Sequence, residues 1–333
     1  MPIQWFPGHM NVPKKAIIER IKDTDVVIEL LDARLPGSSA NPMLEQLTGH
    51  RLKLKVLNKQ DLADATQTEA WLAWYNAQPN TRAIALDAGE TAPAQRLIKA
   101  CRELAPHRGG MAKPLRVMIC GIPNVGKSTL MNTLVGRKAA KTGDEAGVTR
   151  VEQRINLASD FYLFDTPGML WPKITVDQSG YHLAASGAVG RNAYEDEDVA
   201  LELLKSLREP YAALLAARFK LDDVAAIPTT DEEVLLSEVG RKRGAVMSGG
   251  RINIAKAAEI VLHDFRAGLI GRITLETPEQ FAQWWAEGQA KEAEREAAKL
   301  ARKQKKHGSR KPADADADAD VDDDEEEDES DEG

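Results

Sequence analysis

The chain of 333 residues predicts an α/β fold: a doubly wound, mostly parallel sheet, followed by an all-α helical domain and a disordered acidic tail. Three observations carry this prediction. Apolar strand-like runs alternate with helix-period stretches over residues 14–105 and again from 115, the pattern of a parallel sheet covered by helices. The β-branched runs stop near residue 172, and alanine- and leucine-rich helical patterns replace them. The last segment, 314–333, holds 14 Asp and Glu and no Lys or Arg, a composition that cannot bury a core.

Each element follows from its local pattern. Pro13 opens a helix over Lys14–Lys22, and Asp25–Leu31 (DVVIELL) reads as a buried strand. A helix is expected near Pro42–Leu47, a strand at Leu52–Leu57 and a helix around Thr68–Asn76. Arg82–Leu86 is a strand and Pro93–Leu104 a helix, and the run Pro106–Pro114 (PHRGGMAKP) is a linker by composition. Leu115–Cys120 is a strand entering a glycine-containing loop, with Lys127–Leu134 as the helix that follows. Val151–Leu157 and Phe161–Phe164 are strands. Helices are expected over Asp198–Leu207, Tyr211–Phe219, Glu232–Glu238, Ala255–Phe265 and Glu287–Lys306. The expected domains are therefore 1–172, 173–288 and 289–333.

Charge is unevenly placed. The formal charge of −8 becomes +6 for residues 1–313 once the 14 acidic groups of 314–333 are set aside, and residues 291–311 carry nine Lys or Arg against three Glu. A basic body suits a phosphate-bearing partner such as RNA better than a membrane or an acidic small substrate. Residues 291–311 read as a solvated helix or as an RNA arm, and the acidic run as a solubilising tail or one that folds back on that arm. Only Cys101 and Cys120 are present, without metal-ligand spacing, so a reduced, cytoplasmic protein is expected. The start, Met1-Pro2-Ile3-Gln4-Trp5, lacks a signal-peptide pattern, and no run approaches the ~18 apolar residues of a membrane span.

The chemistry lies in two short strings whose order is reversed. Gly121-Ile122-Pro123-Asn124-Val125-Gly126-Lys127-Ser128 matches a phosphate loop between a strand and a helix. Its backbone N–H groups, from Asn124 through Val125, Gly126, Lys127 and Ser128 to Thr129, can face phosphates at a helix N-terminus. Lys127 would reach the β- and γ-phosphates and Ser128 would ligate Mg²⁺. Asp165-Thr166-Pro167-Gly168 follows at a strand end, with Asp165 for the Mg²⁺ shell and the Gly168 N–H for the γ-phosphate. Thr149 is the candidate switch threonine for the metal, or an ordinary cap. Asn58-Lys59-Gln60-Asp61 comes earlier in the chain, where the Asp61 carboxylate can accept from guanine N1–H and the exocyclic amine while Asn58 reads the other edge. Adenine would leave Asp61 facing a missing donor, and such mismatches can discriminate by ~10⁴. Alone, the tetrapeptide could be a surface turn. Asp87-Ala88 would be its partner loop, a departure from the commoner Ser-Ala pair.

Residues 1–105 hold no phosphate loop, and no second base reader follows Gly168. A single circularly permuted P-loop GTPase domain explains both absences, with GTP and GDP as its ligands.

With Trp5-Phe6-Pro7-Gly8-His9-Met10, Asp32-Ala33-Arg34-Leu35-Pro36 and Asp264-Phe265-Arg266-Ala267-Gly268 with Gly271-Arg272, the chain resembles the ribosome biogenesis GTPase A family (the YlqF type) over residues 1 to about 280. The resemblance implies a permuted GTPase domain, a helical RNA-contacting domain and a role in late maturation of the large ribosomal subunit. It also assigns hydrolysis. Met169 occupies the position where many GTPases carry a water-orienting Gln, and the family gives that task to the histidine matching His9, which alone would read as a helix cap. Asn124 matches a residue that helps coordinate K⁺ in related GTPases, or it merely shapes the loop. Arg241, Lys242, Arg243 and Arg251, with Lys256, Arg266 and Arg272, form the expected rRNA surface. Trp284 and Trp285 are expected in a core or helix-packing patch. No DNA or membrane partner is expected, and the protein reads as a monomer. A second reading is a GTP-dependent regulator of a non-ribosomal protein or tRNA-modifying partner.

Overall fold

The computed structural model describes residues 3, 11–49, 51–87, 93–110, 112–135 and 153–308. Six strands form one sheet in the order β3-β2-β1-β4-β6-β5: β1 (Val26–Asp32), β2 (Leu52–Asn58), β3 (Thr81–Ala85), β4 (Leu115–Gly121), β5 (Gln153–Ala158) and β6 (Phe161–Asp165). All neighbours are parallel except β5 and β6, an antiparallel pair at one edge. β1 is buried along its whole length, as a central strand covered on both faces must be. Its register places Val26 beside both Leu52 and Val117. The carboxyl ends of β1, β2, β4 and β6 therefore lie side by side. Strand order turns back between β1 and β4, the switch point at which open α/β sheets bind ligands.

The helices start where their caps dictate. α1 spans Asn11–Arg20 and α2 Pro42–Thr48. Asn41 caps α2 by accepting from Met43 N at 2.9 Å, with Pro42 at the first position, where no N–H is needed. Asp64 caps α3 (Ala65–Asn76), accepting from Gln67 N at 3.1 Å. α4 (Pro93–Leu104) and α5 (Lys127–Val135) complete the helices before residue 172.

Beyond it lie α6 (Asp177–Ser186), α7 (Asp196–Leu207), α8 (Ala212–Phe219), α9 (Glu232–Lys242), α10 (Ile254–Arg266) and α11 (Pro278–Gly308). Two differ from the sequence pattern. α6 is unforeseen because almost every side is covered. Ser179, Gly180, His182 and Ser186 are buried beside Leu183 and Ala184, so no polar face marks a helical period. α11 begins nine residues before the expected Glu287, because Thr277 and Gln280 form a reciprocal capping box. Gln280 N donates to Thr277 Oγ1 at 3.2 Å, and Thr277 N to Gln280 Oε1 at 3.0 Å.

Met1–Gly288 form one compact unit and Gln289–Gly333 a second. In the first, one hydrophobic core runs from Ile28, Leu54, Val117 and Phe161 of the sheet into Leu183, Val199, Leu203, Leu236 and Val261 of the helices. Aromatic packing fixes the start of α11. Trp71 meets Phe281 at 5.9 Å between ring centres, Phe281 stacks on Trp285 at 6.2 Å, and Trp284 stands edge-on to His182 at 5.8 Å. In the second unit, residues 289–302 are a mostly exposed, charged helical stretch. Among the described residues no helix is long and apolar enough to cross a membrane. Cys101 and Cys120 are free and buried, and burial pushes both thiols far above their usual range.

Candidate active site

The carboxyl ends of four adjacent strands bring the two reversed strings together. β4 ends at Gly121, and the phosphate loop runs to α5. A Cβ on Gly121 would stand 2.7 Å from Leu30 O, so β1 and the loop approach more closely than any side chain allows. Asn124 takes a left-handed φ of 56° and Gly126 one of 95°.

The base-reading string grips this loop directly. Asn58, at the end of β2, is buried and donates from Nδ2 to Val125 O at 2.9 Å. Lys59 Nζ donates to Asn124 O at 2.9 Å and to Asp32 Oδ2 at 2.9 Å. A Cβ on Gly126 would lie 2.4 Å from Asn58 Nδ2, so this glycine permits the grip. Asp61 is exposed on a 3-10 turn over residues 60–62, and Gln60 Nε2 holds Asp87 Oδ2 at 3.2 Å. Ala88 lies outside the described residues, as do His9 and Thr149.

On the opposite flank, Lys127 Nζ donates to Asp165 Oδ1 at 2.6 Å, with both side chains buried. The second oxygen, Asp165 Oδ2, is buried without a partner. Burial raises the carboxyl's pKa above the ordinary value, and the Lys127 charge opposes that shift. The fit to Mg²⁺ is good. An unmatched carboxylate oxygen belongs beside a cation, and Ser128 lines the same cleft as Lys127. Mg²⁺ is commonly held by one or two protein groups together with phosphate oxygens. Thr166 Oγ1 donates to Ile119 O at 2.9 Å, and Met169 N to Gly121 O at 3.0 Å. These bonds set Gly168 against the loop, where its Cβ would lie 3.2 Å from Pro123 Cα. The Met169 side chain is buried with Ile17, Met118 and Cys120, so it faces the core.

In the sequence, Asp32 and Arg34 stand out only as part of a family motif. Their position at the end of an apolar strand, where ligands of such sheets bind, was the available signal. Arg34 pairs with Asp32 through Nε at 3.0 Å and Nη2 at 2.8 Å, and donates from Nη1 to Phe265 O at 3.0 Å with its guanidinium over the Phe265 ring. Burial alone would raise the Asp32 pKa, but Arg34 and Lys59 hold the carboxyl well below the usual range.

The cleft, about 1390 Å³, is lined by the phosphate loop, Gly168 and Gly187, by the basic Arg191, Arg218, Arg243, Lys256 and Arg266, and by the acidic Asp196, Glu259 and Asp264. Asp264 pairs with two of these cations, with Arg218 Nε at 2.7 Å and Arg243 Nη2 at 3.7 Å. Of the expected RNA residues, Arg241 and Arg251 are exposed, and Lys242 pairs with Asp222 at 2.7 Å. Arg266 donates to the carbonyls of Ala184 and Ala185, each at 2.9 Å. Arg272 likewise donates to backbone carbonyls, those of Ala63 and Gln60.

A phosphate loop with an invariant-type lysine, an aspartate at a neighbouring strand end and a base-reading string that comes first in the chain define a circularly permuted P-loop GTPase. A family model described as 50S ribosome-binding GTPase matches residues 116–233. The chain is 39% identical to ribosome biogenesis GTPase A of Bacillus cereus over 290 residues, covering 85% of this chain and 96% of that protein. It belongs to the ribosome biogenesis GTPase A family. It is also 31% identical to mitochondrial ribosome-associated GTPase 1 of Xenopus tropicalis, over 82% of this chain and 94% of the relative. Among solved structures, GNP-bound YlqF from T. maritima shares the fold with a TM-score of 0.57 at 23% identity, covering 80% of this chain and 98% of that one. The protein hydrolyses GTP, and domains of this class generally use Mg²⁺.

Proposed function

We propose that this GTPase acts as an assembly factor in late maturation of the large ribosomal subunit, binding rRNA in a nucleotide-dependent way as a cytoplasmic monomer. One observation carries the reading. The phosphate loop and the base of the helical region share a hydrogen bond, Asn124 Nδ2 to Gly187 O at 2.8 Å, beside a cleft whose lining includes Arg191, Arg218 and Arg243. A rearrangement at the γ-phosphate thus has a direct path to a surface suited to RNA phosphates. The names of the bacterial and mitochondrial relatives point the same way.

Within the site, Lys127 and the loop N–H groups hold the phosphates, Asp61 reads the base, and Gly168 meets the γ-phosphate. Asn58 and Lys59 keep the base reader at a fixed distance from the phosphate loop. Ser128, Asp165 and Thr149 would hold Mg²⁺, which when bound offsets negative charge on the β- and γ-phosphates. Asn124 would hold K⁺. Because Met169 faces the core, His9 takes the water-orienting task, and turnover is slow until the ribosomal particle stimulates it. Arg241, Lys242, Arg243 and Arg251 supply the RNA surface.

Co-sedimentation tests the reading. Association with large-subunit particles only with a non-hydrolysable GTP analogue is expected, and particles should stimulate hydrolysis. His9→Ala should lose that stimulation while keeping nucleotide affinity. Binding indifferent to both nucleotide and particle would favour a regulator of a non-ribosomal partner.

A further inference from the structure

The loop that reads the base is tied to the sheet on one side, where Gln60 N donates to Leu86 O at 3.1 Å and Gln60 Nε2 to Asp87 Oδ2 at 3.2 Å. Lys59 adopts a left-handed φ of 60°, residues 60–62 make a single 3-10 turn, and Asp61 is exposed. A second set of anchors, for residues 60–64, comes from the far end of the unit. After α10 the chain turns at Gly268, φ 70°, and Gly271, φ 140°, then crosses the loop as a strap. Arg272 donates from Nε to Ala63 O at 2.8 Å and from Nη2 to Gln60 O at 3.1 Å. Ile273 N donates to Leu62 O at 2.9 Å, and Asp64 N donates to Thr274 Oγ1 at 3.2 Å. Gly268 admits the Leu62 side chain, which would stand 2.6 Å from an added Cβ.

We infer that Arg272 is a positioning residue for guanine selectivity. Its guanidinium holds the two carbonyls that flank Asp61-Leu62, and so aims the Asp61 carboxylate at N1–H and the exocyclic amine of the base. The inference rests on the reading of Asp61 as the base reader. A planar fork fixes two acceptors at one separation, which a lysine ammonium does not do. The carboxylate must meet two donors at once, and hydrogen bonds weaken steeply with angle. A small rotation of the turn therefore costs recognition of the base while leaving the phosphate contacts alone, because Arg272 touches no part of the phosphate loop. The effect belongs to the base-dependent part of binding.

The test is direct binding of GDP and IDP to the full chain in Mg²⁺ buffer. IDP lacks the exocyclic amine, so the ratio of the two dissociation constants reports the second Asp61 contact. The parent protein should prefer GDP by about tenfold or more. Arg272→Ala, at an exposed side chain, should reduce that ratio by about threefold or more, chiefly by weakening GDP. Arg272→Lys should recover only part of it. A ratio unchanged in Arg272→Ala, whether both ligands weaken together or neither does, overturns the inference. Asp61→Ala separates this from the underlying reading. If it leaves the ratio intact, Asp61 does not read the base. If it erases the ratio while Arg272→Ala does not, only the role of Arg272 falls.

Discussion

The side-chain amide of Asn124 donates to the carbonyl of Gly187 at 2.8 Å. Asn124 stands in the phosphate loop, and Gly187 is the left-handed cap, φ 82°, that ends α6. Arg266 secures the same helix end through Ala184 and Ala185. Three segments from both halves of the unit therefore meet at one helix terminus, next to the cleft.

Asn124→Gly isolates the amide. At a φ of 56° glycine fits without backbone strain, so only the side chain is lost. GTP affinity should stay within about threefold of the parent value, and stimulation by K⁺ over Na⁺ should disappear. Hydrolysis rates in the two salts at matched ionic strength decide this. Persisting K⁺ stimulation would remove Asn124 from cation binding.

Gly126→Ala should do the opposite and damage the loop itself. Its Cβ would meet Asn58 Nδ2 at 2.4 Å at a φ of +95°, breaking the tie from Asn58 to Val125. A stability loss of about 2 kcal/mol is expected in urea titration, with GDP affinity falling by about tenfold or more. Wild-type affinity would show that the Asn58 grip is dispensable.

Asp32 gives the acid limb of stability. Its folded pKa is depressed by Arg34 and Lys59 against the opposing effect of burial, so the native state favours the carboxylate. That contribution is complete above the unfolded carboxyl's pKa of about 3.9 and is lost as pH falls below it. Asp32→Asn leaves Arg34 buried without its counter-charge and should cost about 3–5 kcal/mol at neutral pH. It should also flatten the loss between pH ~4 and lower values. Denaturant titrations of both proteins across that range test it. An equally steep acid limb in the variant would place the titration elsewhere.

Glu276 closes a buried cluster. It accepts from Ser38 N at 2.7 Å and from Ser38 Oγ, and faces His182 Nδ1 at 2.9 Å. Ser38 and Glu276 both meet Nδ1, while Nε2 is buried without a partner, so this is no nucleophilic triad. Its task is to join the turn after β1, α6 and the start of α11. Glu276→Ala should destabilise by about 3–5 kcal/mol in thermal or urea unfolding, more than Ser38→Ala. Parity between the two variants would mean that the Ser38 contacts, not His182, set the cost.

Much of this architecture was written in local patterns. The strands ending at Asn58, Gly121 and Asp165 were legible because buried parallel strands are continuous apolar runs, and each ends in a polar string. The reversed order of the strings gave the permutation. The start of α11 was legible in principle, since Thr277-Pro278-Glu279-Gln280 is a capping-box sequence. α6 was not, because a helix buried on almost every side has no clear period to read. Nor were the grips of Asn58, Lys59 and Arg272 on backbone carbonyls, since carbonyls carry no sequence signature. Those contacts give Asn58, Lys59 and Arg272 a loop-holding role beside the base and RNA roles expected of them.

Arg34 and its acceptor Phe265 are 231 residues apart, and Trp71 Nε1 reaches Glu276 O at 2.9 Å across 205 residues. A ribosome making about 5–20 residues per second leaves the first half of this sheet waiting about 10–50 s for these partners. During that interval the Arg34 charge and the Trp71 indole have no native acceptor, so β1–β3 with α3 cannot be a finished folding intermediate. GTPase activity is therefore expected only when nearly all of the chain has been synthesised. A fragment ending at residue 172 should therefore emerge aggregation-prone and unable to bind nucleotide, although it contains every nucleotide-binding motif.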